Sequence, residues 1–368
     1  MSDPSPILPR YGEDCLSSIV PVLCAPGGPT AVPAWMPRII EGADRILLLL
    51  IDGLGWNQFD SRRHLVPSLA QFDGGPITTV APSTTATALT SLTTGLSPSE
   101  HGLMGYRLAM GPTVMNVLRW GDETGDLTRL YPPERIQSCP PFLGASVPVL
   151  SRAELEGTGF TRAHLSGVKP LGWRAASSIA VTARRAFESG EQFVYAYYDG
   201  IDKIAHERGF GDYYDAELVH VELLVSSILD QVPRDTVVVV TADHGQVHVG
   251  ARSVNLDESV LEHVARQSGE GRFRWLHARR GRETQLRDAC APYADIAWIV
   301  ERDRVVDENW FGPRMSDENR RRLGDVALVA HEPVTFEDPA EATGMRLVCR
   351  HGSLTADEML IPLLAHKA

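Results

Sequence analysis

The sequence predicts an α/β fold whose central sheet is mostly parallel and has helices on both faces. Four short apolar runs predict its strands: residues 45–52, 193–200, 236–245 and 326–331. Continuous apolar runs of this length are typical of strands buried on both faces of a parallel sheet. Helix-like stretches such as residues 177–189 and 215–231 lie between the runs, and this alternation indicates βαβ units.

The segment from residue 251 to residue 330 differs in character from the rest of the chain because it is rich in arginine. We predict a smaller α+β insertion at residues 251–330, within a main α/β core formed by residues 1–250 and 331–368. Residues 1–42 contain many prolines, and we expect a loosely structured lead-in there.

Composition and charge are those of an ordinary globular chain of 368 residues, with a formal net charge of −12. The negative charge argues against the broad basic surface that binds nucleic-acid polymers or anionic membranes. Five scattered cysteines without a CxxC pair predict reduced thiols and a cytoplasmic protein. We expect no signal peptide, and the apolar run at residues 46–51 is too short to span a bilayer. Nothing in the sequence indicates the oligomeric state.

Two strand ends carry candidate metal ligands. Asp52 directly follows the first apolar run, and Asp243 and His244 lie at the end of the run that begins at Thr236. In parallel sheets, ligands bind beyond the carboxyl ends of the strands, where these side chains would meet. Carboxylate and imidazole together suit zinc or manganese. A strand-end aspartate alone is more often a turn former, and a loop with one satisfied histidine explains Asp243-His244 equally well.

Two further histidines belong with these candidates. Asp202 and His206 are four residues apart, so on a helix both side chains share one face and can hold one ion. His351 precedes Gly352 and an apolar C-terminal run. The Asp–His spacing also occurs by chance in helices, and an isolated histidine is more often a surface or core residue.

A hydroxyl-rich segment precedes a predicted helix of small residues. Ser83, Thr84 and Thr85 follow Pro82 at its start. A helix N-terminus offers free backbone N–H groups and partial positive charge, which suit an anion. Serine and threonine are also ordinary N-caps, so this segment by itself indicates a cap more strongly than a nucleophile.

Taken together, the motifs resemble the alkaline phosphatase superfamily and, more narrowly, the nucleotide pyrophosphatase/phosphodiesterase family. The order is Asp-Gly, Pro-Ser-x-Thr with Thr-Gly-Leu and Pro-x-x-His-Gly downstream, Asp-x-x-x-His, Asp-His-Gly and His-Gly. The resemblance runs from about residue 45 to the C-terminus and is least clear over residues 251–330. It implies a three-layer α/β/α sandwich and an enzyme that hydrolyses phosphate esters, with a small-molecule ester as its partner.

The resemblance also implies roles for single residues. Thr85 occupies the position of the nucleophile in the family motif, because it lies ten residues before Gly95, as the nucleophile does in that motif. One metal would be held by Asp52, Thr85, Asp243 and His244. The other metal would be held by Asp202, His206 and His351. Family members usually carry two zinc ions, and manganese or iron could occupy the same ligands. The expected reaction passes through a covalent phosphothreonine formed by a metal-activated threonine.

The chain departs from the family pattern near the nucleophile. Tyr106 stands where the family has an asparagine that donates to a phosphoryl oxygen, and Ala86 stands where nucleotide hydrolases often place an aromatic ring. Tyr197 matches a family aromatic, although a buried strand tyrosine is the simpler alternative. Base stacking contributes roughly 1–3 kcal/mol per ring, so losing one ring weakens a nucleotide assignment. We predict a phosphodiester or nucleotide pyrophosphate as substrate, with Tyr106 and Tyr197 as substrate-binding residues.

Other functions use the same scaffold. A phosphomonoesterase or phosphonate hydrolase would share the ligands, whereas a sulfatase would need a Cys-x-Pro-x-Arg motif, which the sequence lacks. A catalytically silent metal-binding homologue would have lost a ligand or the nucleophile, and all seven positions are filled here. An isomerase or mutase of the superfamily usually has a serine in the place of Thr85.

Overall fold

The computed structural model describes residues 5–341 and 347–368, and a sheet of seven strands forms its centre. We number the strands in chain order: β1 (Arg45–Ile51), β2 (Asp73–Thr78), β3 (Pro148–Leu150), β4 (Lys169–Pro170), β5 (Phe193–Tyr198), β6 (Thr236–Thr241) and β7 (Leu360–Lys367). They lie side by side in the order β2-β7-β6-β1-β5-β3-β4. β7 runs antiparallel to both of its neighbours and the other six strands run parallel to one another, which confirms the predicted mostly parallel sheet.

The middle of this sheet is buried on both faces. From Ile46 to Ile51 each residue of β1 is at most 3% exposed, and alternate residues of a strand point to opposite faces. Helices therefore cover both sides, as a three-layer sandwich requires. The longer helices are α1 (Thr85–Thr94), α2 (Ser178–Glu188), α3 (Gly200–Arg208) and α4 (Asp212–Gln231). The helices predicted at residues 177–189 and 215–231 correspond to α2 and α4.

Short elements connect these strands and helices. The short helical segments are Leu16–Ser18, Ile19–Leu23, Arg38–Ile40, Trp56–Asp60, Arg63–Leu65, Leu69–Gln71, Pro98–His101, Pro133–Ile136, Pro141–Gly144, Ala153–Leu155, Gly159–His164, Glu258–Leu261, Glu283–Ala289, Ala291–Tyr293, Arg302–Asp307, Asp317–Arg320 and Ala356–Met359. A small antiparallel sheet contains Arg107–Met110, Thr113–Asn116, Gly121–Asp122 and Gly125–Asp126. Two strand pairs join Val247–His248 to Cys349–Arg350 and Ser253–Val254 to Thr335–Phe336.

A separate antiparallel sheet, the second sheet, lies between residues 264 and 330. Its strands in spatial order are Val264–Glu270, Phe273–Ala278, Val326–Ala330 and Ala297–Glu301. The apolar run at residues 326–331 therefore belongs here and not, as predicted, to the parallel sheet. Ala327 and Val329 pack on the main core, whereas Leu328 packs in a separate apolar cluster. Since both faces of the strand are covered, its sequence resembles that of a buried parallel strand. The division of the chain at residues 251–330 stays a prediction.

The N-terminal lead-in is packed against the main core. Cys15, Leu16, Ile19 and Val20 are fully buried within that core. Their spacing places apolar side chains on one side of two short helical segments, which explains the packing. The expectation of a loosely structured lead-in is therefore wrong from residue 5 onward, and residues 1–4 lie outside the described residues.

Two features bear on the surroundings of the chain. All five cysteines are free thiols. Within residues 5–341 and 347–368, no helix has both the length and the apolar character needed to cross a membrane.

Candidate metal centre and active site

Three neighbouring strands of the main sheet bring candidate ligands to one edge. β6, β1 and β5 are adjacent and parallel, so their carboxyl ends lie together. Asp52 follows β1, and Asp243 and His244 follow β6. Asp202 lies in α3, just beyond β5. Gly53 permits this close approach: its φ is 74°, and a Cβ there would lie 3.0 Å from the Cα of Asp202.

The buried group consists of Asp52, Asp243 and His244, whose ligand atoms all lie within 4.8 Å of one another. Nε2 of His244 is 3.3 Å from Oδ2 of Asp243 and 3.6 Å from Oδ1 of Asp52. Both of these carboxylate oxygens are buried and have no hydrogen-bond partner among the described residues. Because an unpaired buried acceptor is costly, these oxygens are well suited to a cation.

The half-buried group consists of Asp202, His206 and His351, whose ligand atoms also all lie within 4.8 Å of one another. Asp202 and His206 lie one turn apart on α3, with Nε2 of His206 3.2 Å from Oδ1 of Asp202. His351 comes from the turn after the short strand Cys349–Arg350. Its ring stacks on that of His244, with ring centroids 3.6 Å apart, so the two groups form one continuous centre.

Backbone carbonyls orient the three histidines. In each ring, Nδ1 donates to a backbone carbonyl at 2.7–3.1 Å. His206 donates to the carbonyl of Cys349, His244 to that of Gly245, and His351 to that of Ser83. A carbonyl only accepts, so Nδ1 carries the proton and Nε2 keeps a free lone pair. Outer contacts of this kind are typical of histidines that bind metals.

Burial and like charge shape the ionisation of these side chains. Burial raises the pKa of Asp52 well above its usual value, and the neighbouring Asp243 and Asp202 raise it further. Burial also raises the pKa of Asp202 and of Asp243. The same cause lowers the pKa of His244 and, more strongly, that of His351. A cation favours ionised carboxylates and neutral imidazoles, so the donor set fits divalent cations.

Thr85 is the first residue of α1, and its side chain faces the buried group. Its Oγ1 lies 3.1 Å from Nε2 of His244. The turn before it is tied to the turn that follows His351, because the Ser83 hydroxyl donates to the Ser353 carbonyl at 2.6 Å. The hydroxyl of Thr85 thus lies at a helix N-terminus beside the candidate ligands, where an anion is favoured.

The two tyrosines predicted to bind substrate lie in different surroundings. Tyr197 is buried in β5, and its hydroxyl donates to Oδ2 of Asp52, so it supports a candidate ligand. Its ring also borders a cleft beside Thr85. Tyr106 lines the cleft next to the half-buried group, and its hydroxyl accepts a hydrogen bond from Asn116 at 2.7 Å. Their roles in substrate binding stay predictions.

Three residues near the centre lie outside the motifs. Gln246 donates to Oδ1 of Asp202 at 2.8 Å, and its place two residues after His244 is a signal that could have indicated it. Glu270 and Arg350 line the cleft next to the half-buried group. Glu270 comes from the second sheet, and no local pattern in the sequence indicates it.

A family model described as type I phosphodiesterase/nucleotide pyrophosphatase matches residues 46–354. The chain belongs to this family. Membership confirms the resemblance predicted from the motifs and makes the protein an enzyme of the phosphodiesterase and nucleotide pyrophosphatase hydrolases. A comparison with curated proteins finds no match.

Solved structures with low sequence identity share the fold of this phosphodiesterase-family chain. Murine ectonucleotide pyrophosphatase/phosphodiesterase 5 is 14% identical, with a TM-score of 0.68 and 88% of each chain covered. An inactive threonine-to-alanine variant of it, in complex with AMP, gives 14% identity, a TM-score of 0.67 and the same coverage. Phosphonoacetate hydrolase from Sinorhizobium meliloti, in complex with phosphonoacetate, is 15% identical, with a TM-score of 0.65 over 88% of this chain and 90% of that one.

Proposed function

We propose that this phosphodiesterase-family enzyme hydrolyses small phosphodiesters or nucleotide pyrophosphates, with two divalent cations and with Thr85 as nucleophile. The observation that carries the proposal is the position of the Thr85 hydroxyl, 3.1 Å from Nε2 of His244 and at the N-terminus of α1. The hydroxyl lies beside the buried group and beside backbone N–H groups that suit phosphate oxygens.

The buried group, together with Thr85, would hold one cation, and the half-buried group would hold the other. Carboxylate oxygens mixed with imidazole nitrogens suit zinc, and manganese or iron accept the same donors. The unpaired oxygens of Asp52 and Asp243 support this assignment. When bound, the cations stabilise the alkoxide of Thr85 and the charge on the phosphoryl and leaving oxygens.

Thr85 would carry the reaction in two steps. Its oxygen attacks phosphorus, the bond from phosphorus to one alcohol oxygen breaks, and the hydroxyl proton ends on the departing alcohol. The protein then carries a phosphothreonine ester. Water attacks the same phosphorus, the bond between phosphorus and the Thr85 oxygen breaks, and one proton of the water restores the hydroxyl.

A cleft of about 380 Å³ beside Thr85 would take one organic group of the ester, and we call it the apolar lobe. Its apolar lining comprises Leu89, Leu118, Leu155, Phe160 and Leu165. Lys203 also borders it and pairs with Asp199 at 2.5 Å. Ala86 is fully buried and adds no ring for stacking. This lining supports a diester with an apolar or aromatic group, and the AMP complex of the murine relative supports a nucleoside as one such group.

Rates on two chromogenic esters test the class of reaction. We expect bis-p-nitrophenyl phosphate to be hydrolysed faster than p-nitrophenyl phosphate, because the lining of the cleft favours a second organic group. A monoester preference of tenfold or more would overturn the diester assignment.

Thr85→Ala tests the nucleophile. We expect kcat for the diester to fall on the order of 10³-fold or more, since the variant lacks the attacking oxygen. Thr85→Ser keeps an attacking hydroxyl and should retain measurable turnover. Thr90→Ala is the matched control, because its hydroxyl donates to the Ala86 carbonyl inside α1. Near wild-type turnover in Thr85→Ala would show that another oxygen attacks phosphorus.

A further inference from the structure

The cleft at the metal centre divides into two lobes. The second, which we call the polar lobe, has a volume of about 240 Å³ and contains the side chains of the half-buried group. The two lobes share Thr85, Leu118 and Asp202, so they diverge from the point where phosphorus would be attacked. A phosphodiester carries two organic groups, and two lobes that meet at Thr85 match that requirement.

The lining of the polar lobe differs from that of the apolar lobe. Tyr106, Glu270, Glu341 and Arg350 border it together with Leu118 and Leu347, and none of these four polar side chains borders the apolar lobe. A pocket with hydrogen-bonding groups at fixed positions selects a ligand that satisfies them. The group bound there is therefore expected to be polar.

Glu270 and Arg350 are members of this lining whose hydrogen bonding is incomplete, and Glu270 is the acidic one. It lies at the tip of the hairpin formed by Val264–Glu270 and Phe273–Ala278, and its side chain is 5% exposed. Thr84 forms a hydrogen bond with its carboxyl group, but Oε1 has no partner among the described residues. The glycine after His351 makes room for it, since a Cβ on Gly352 would lie 2.7 Å from Cγ of Glu270.

Two arginines near Glu270 pair with other carboxylates, and a third, Arg350, borders the same lobe. Arg272 forms a two-pronged ion pair with Glu358, and Nη2 of Arg274 donates to Glu341 at 2.8 Å. Burial raises the pKa of Glu270 to about 8. Burial thus favours the neutral carboxylic acid, which can both donate and accept a hydrogen bond.

We propose that the polar lobe binds the second alcohol of the phosphodiester and that Glu270 selects an alcohol that carries a hydroxyl group. This inference rests on the proposed function and names the substrate class of the same site. A hydroxyl donates and accepts, as a neutral carboxyl group does, so one ligand group would complete the hydrogen bonding of Glu270. A substrate without that hydroxyl leaves a buried polar group unpaired, which is the situation that gives a site strong discrimination.

Three phenyl phosphodiesters test this inference on the metal-loaded enzyme: phenyl propyl, phenyl 3-hydroxypropyl and phenyl 3-aminopropyl phosphate. Rates are followed as loss of the diester by ³¹P NMR, after subtraction of the enzyme-free rate, so cleavage of either ester bond is counted. We expect kcat/KM for the hydroxypropyl ester to exceed that for the propyl ester by roughly tenfold or more. Glu270→Leu should bring this ratio close to one, whereas Glu270→Gln, which also donates and accepts, should keep most of it.

Glu301→Leu, an exposed position on the outer strand of the second sheet, is the matched control and should leave the ratio unchanged. Thermal unfolding of each variant establishes that it is folded. Equal wild-type rates on the propyl and hydroxypropyl esters would overturn the inference while the proposed function stands. The wild-type enzyme could instead prefer the aminopropyl ester, and Glu270→Gln could abolish that preference. Glu270 would then select an ammonium group and not a hydroxyl group, which would also overturn the inference. If no diester is hydrolysed, the proposed function fails together with the inference.

Discussion

The buried and half-buried groups differ in how the chain builds them. The buried group stands on two adjacent parallel strands, β1 and β6, whose register pairs Leu50 with Thr241 just before the ligands. The half-buried group joins α3 to His351, which no strand of the main sheet carries. One half of the candidate metal centre therefore follows from the register of the sheet, whereas the other half depends on packing between distant segments.

A buried ion pair provides that packing. Arg272, at the hairpin tip of the second sheet, pairs with Glu358 through two hydrogen bonds of 2.7 and 2.8 Å, and both side chains are fully buried. Glu358 also accepts hydrogen bonds from the Ser353 backbone N–H at 2.9 Å and the Thr355 hydroxyl at 2.6 Å. The pair thus links the second sheet to the segment that follows His351.

The largest expected difference concerns the ligands themselves. Asp243→Ala should lower kcat/KM on the order of 10³-fold or more, because it removes a carboxylate from the group beside Thr85, the proposed nucleophile. His206→Ala should have a smaller effect and should leave the metal of the buried group in place. Elemental analysis and diester rates measure both effects, with the exposed Asp230→Ala as control. Equal losses of metal and rate in the two variants would contradict the contrast between the groups.

The next effect concerns the ion pair that supports the half-buried group. Arg272→Leu should lower the free energy of unfolding by about 3–5 kcal/mol, because it leaves the Glu358 carboxylate buried without its partner. The double variant with Glu358→Leu should recover much of that loss, since no unpaired charge remains. Urea unfolding measures both. A cost below about 1 kcal/mol for the single variant, as for an exposed pair, would show that the pair does not hold this segment.

The smallest effect compares one outer contact of each group. Tyr197→Phe removes the donor to Asp52, and Gln246→Leu removes the donor to Asp202. We expect each change to weaken metal binding by roughly 10–100-fold, with the larger effect for Tyr197 because Asp52 is the more deeply buried carboxylate. Titration against a competing chelator measures the affinities. A larger loss of metal affinity in Gln246→Leu than in Tyr197→Phe would contradict this expectation.

Local sequence patterns predicted the strands and helices that carry most candidate ligands. Asp52 and Asp243 come at the ends of apolar runs, and such ends meet wherever the strands are parallel neighbours. Asp202 and His206 are placed by the periodicity of one helix turn. These relations are local or follow from the sheet, so they predicted that Asp52, Asp202 and Asp243 lie near one another, whereas only the family resemblance grouped His351 with them.

Other features depend on contacts that no local pattern encodes. Glu270 meets Thr84 and Gly352, which come from two other parts of the chain. The apolar run at residues 326–331 was assigned to the wrong sheet because strands covered on both faces look alike in sequence, whether parallel or antiparallel. For Tyr197, the sequence indicated an aromatic beside the site but not that its hydroxyl would be directed at Asp52.

The position of β7 has a consequence for the order of assembly during biosynthesis. β2, which leads to Thr85, borders only β7 within the main sheet, and residues 360–365 pair with residues 73–78. The ribosome makes β7 after every strand that it joins. The strand before Thr85 therefore gains its place in the sheet only when these late residues have emerged, so a nascent chain that lacks them has no completed candidate site.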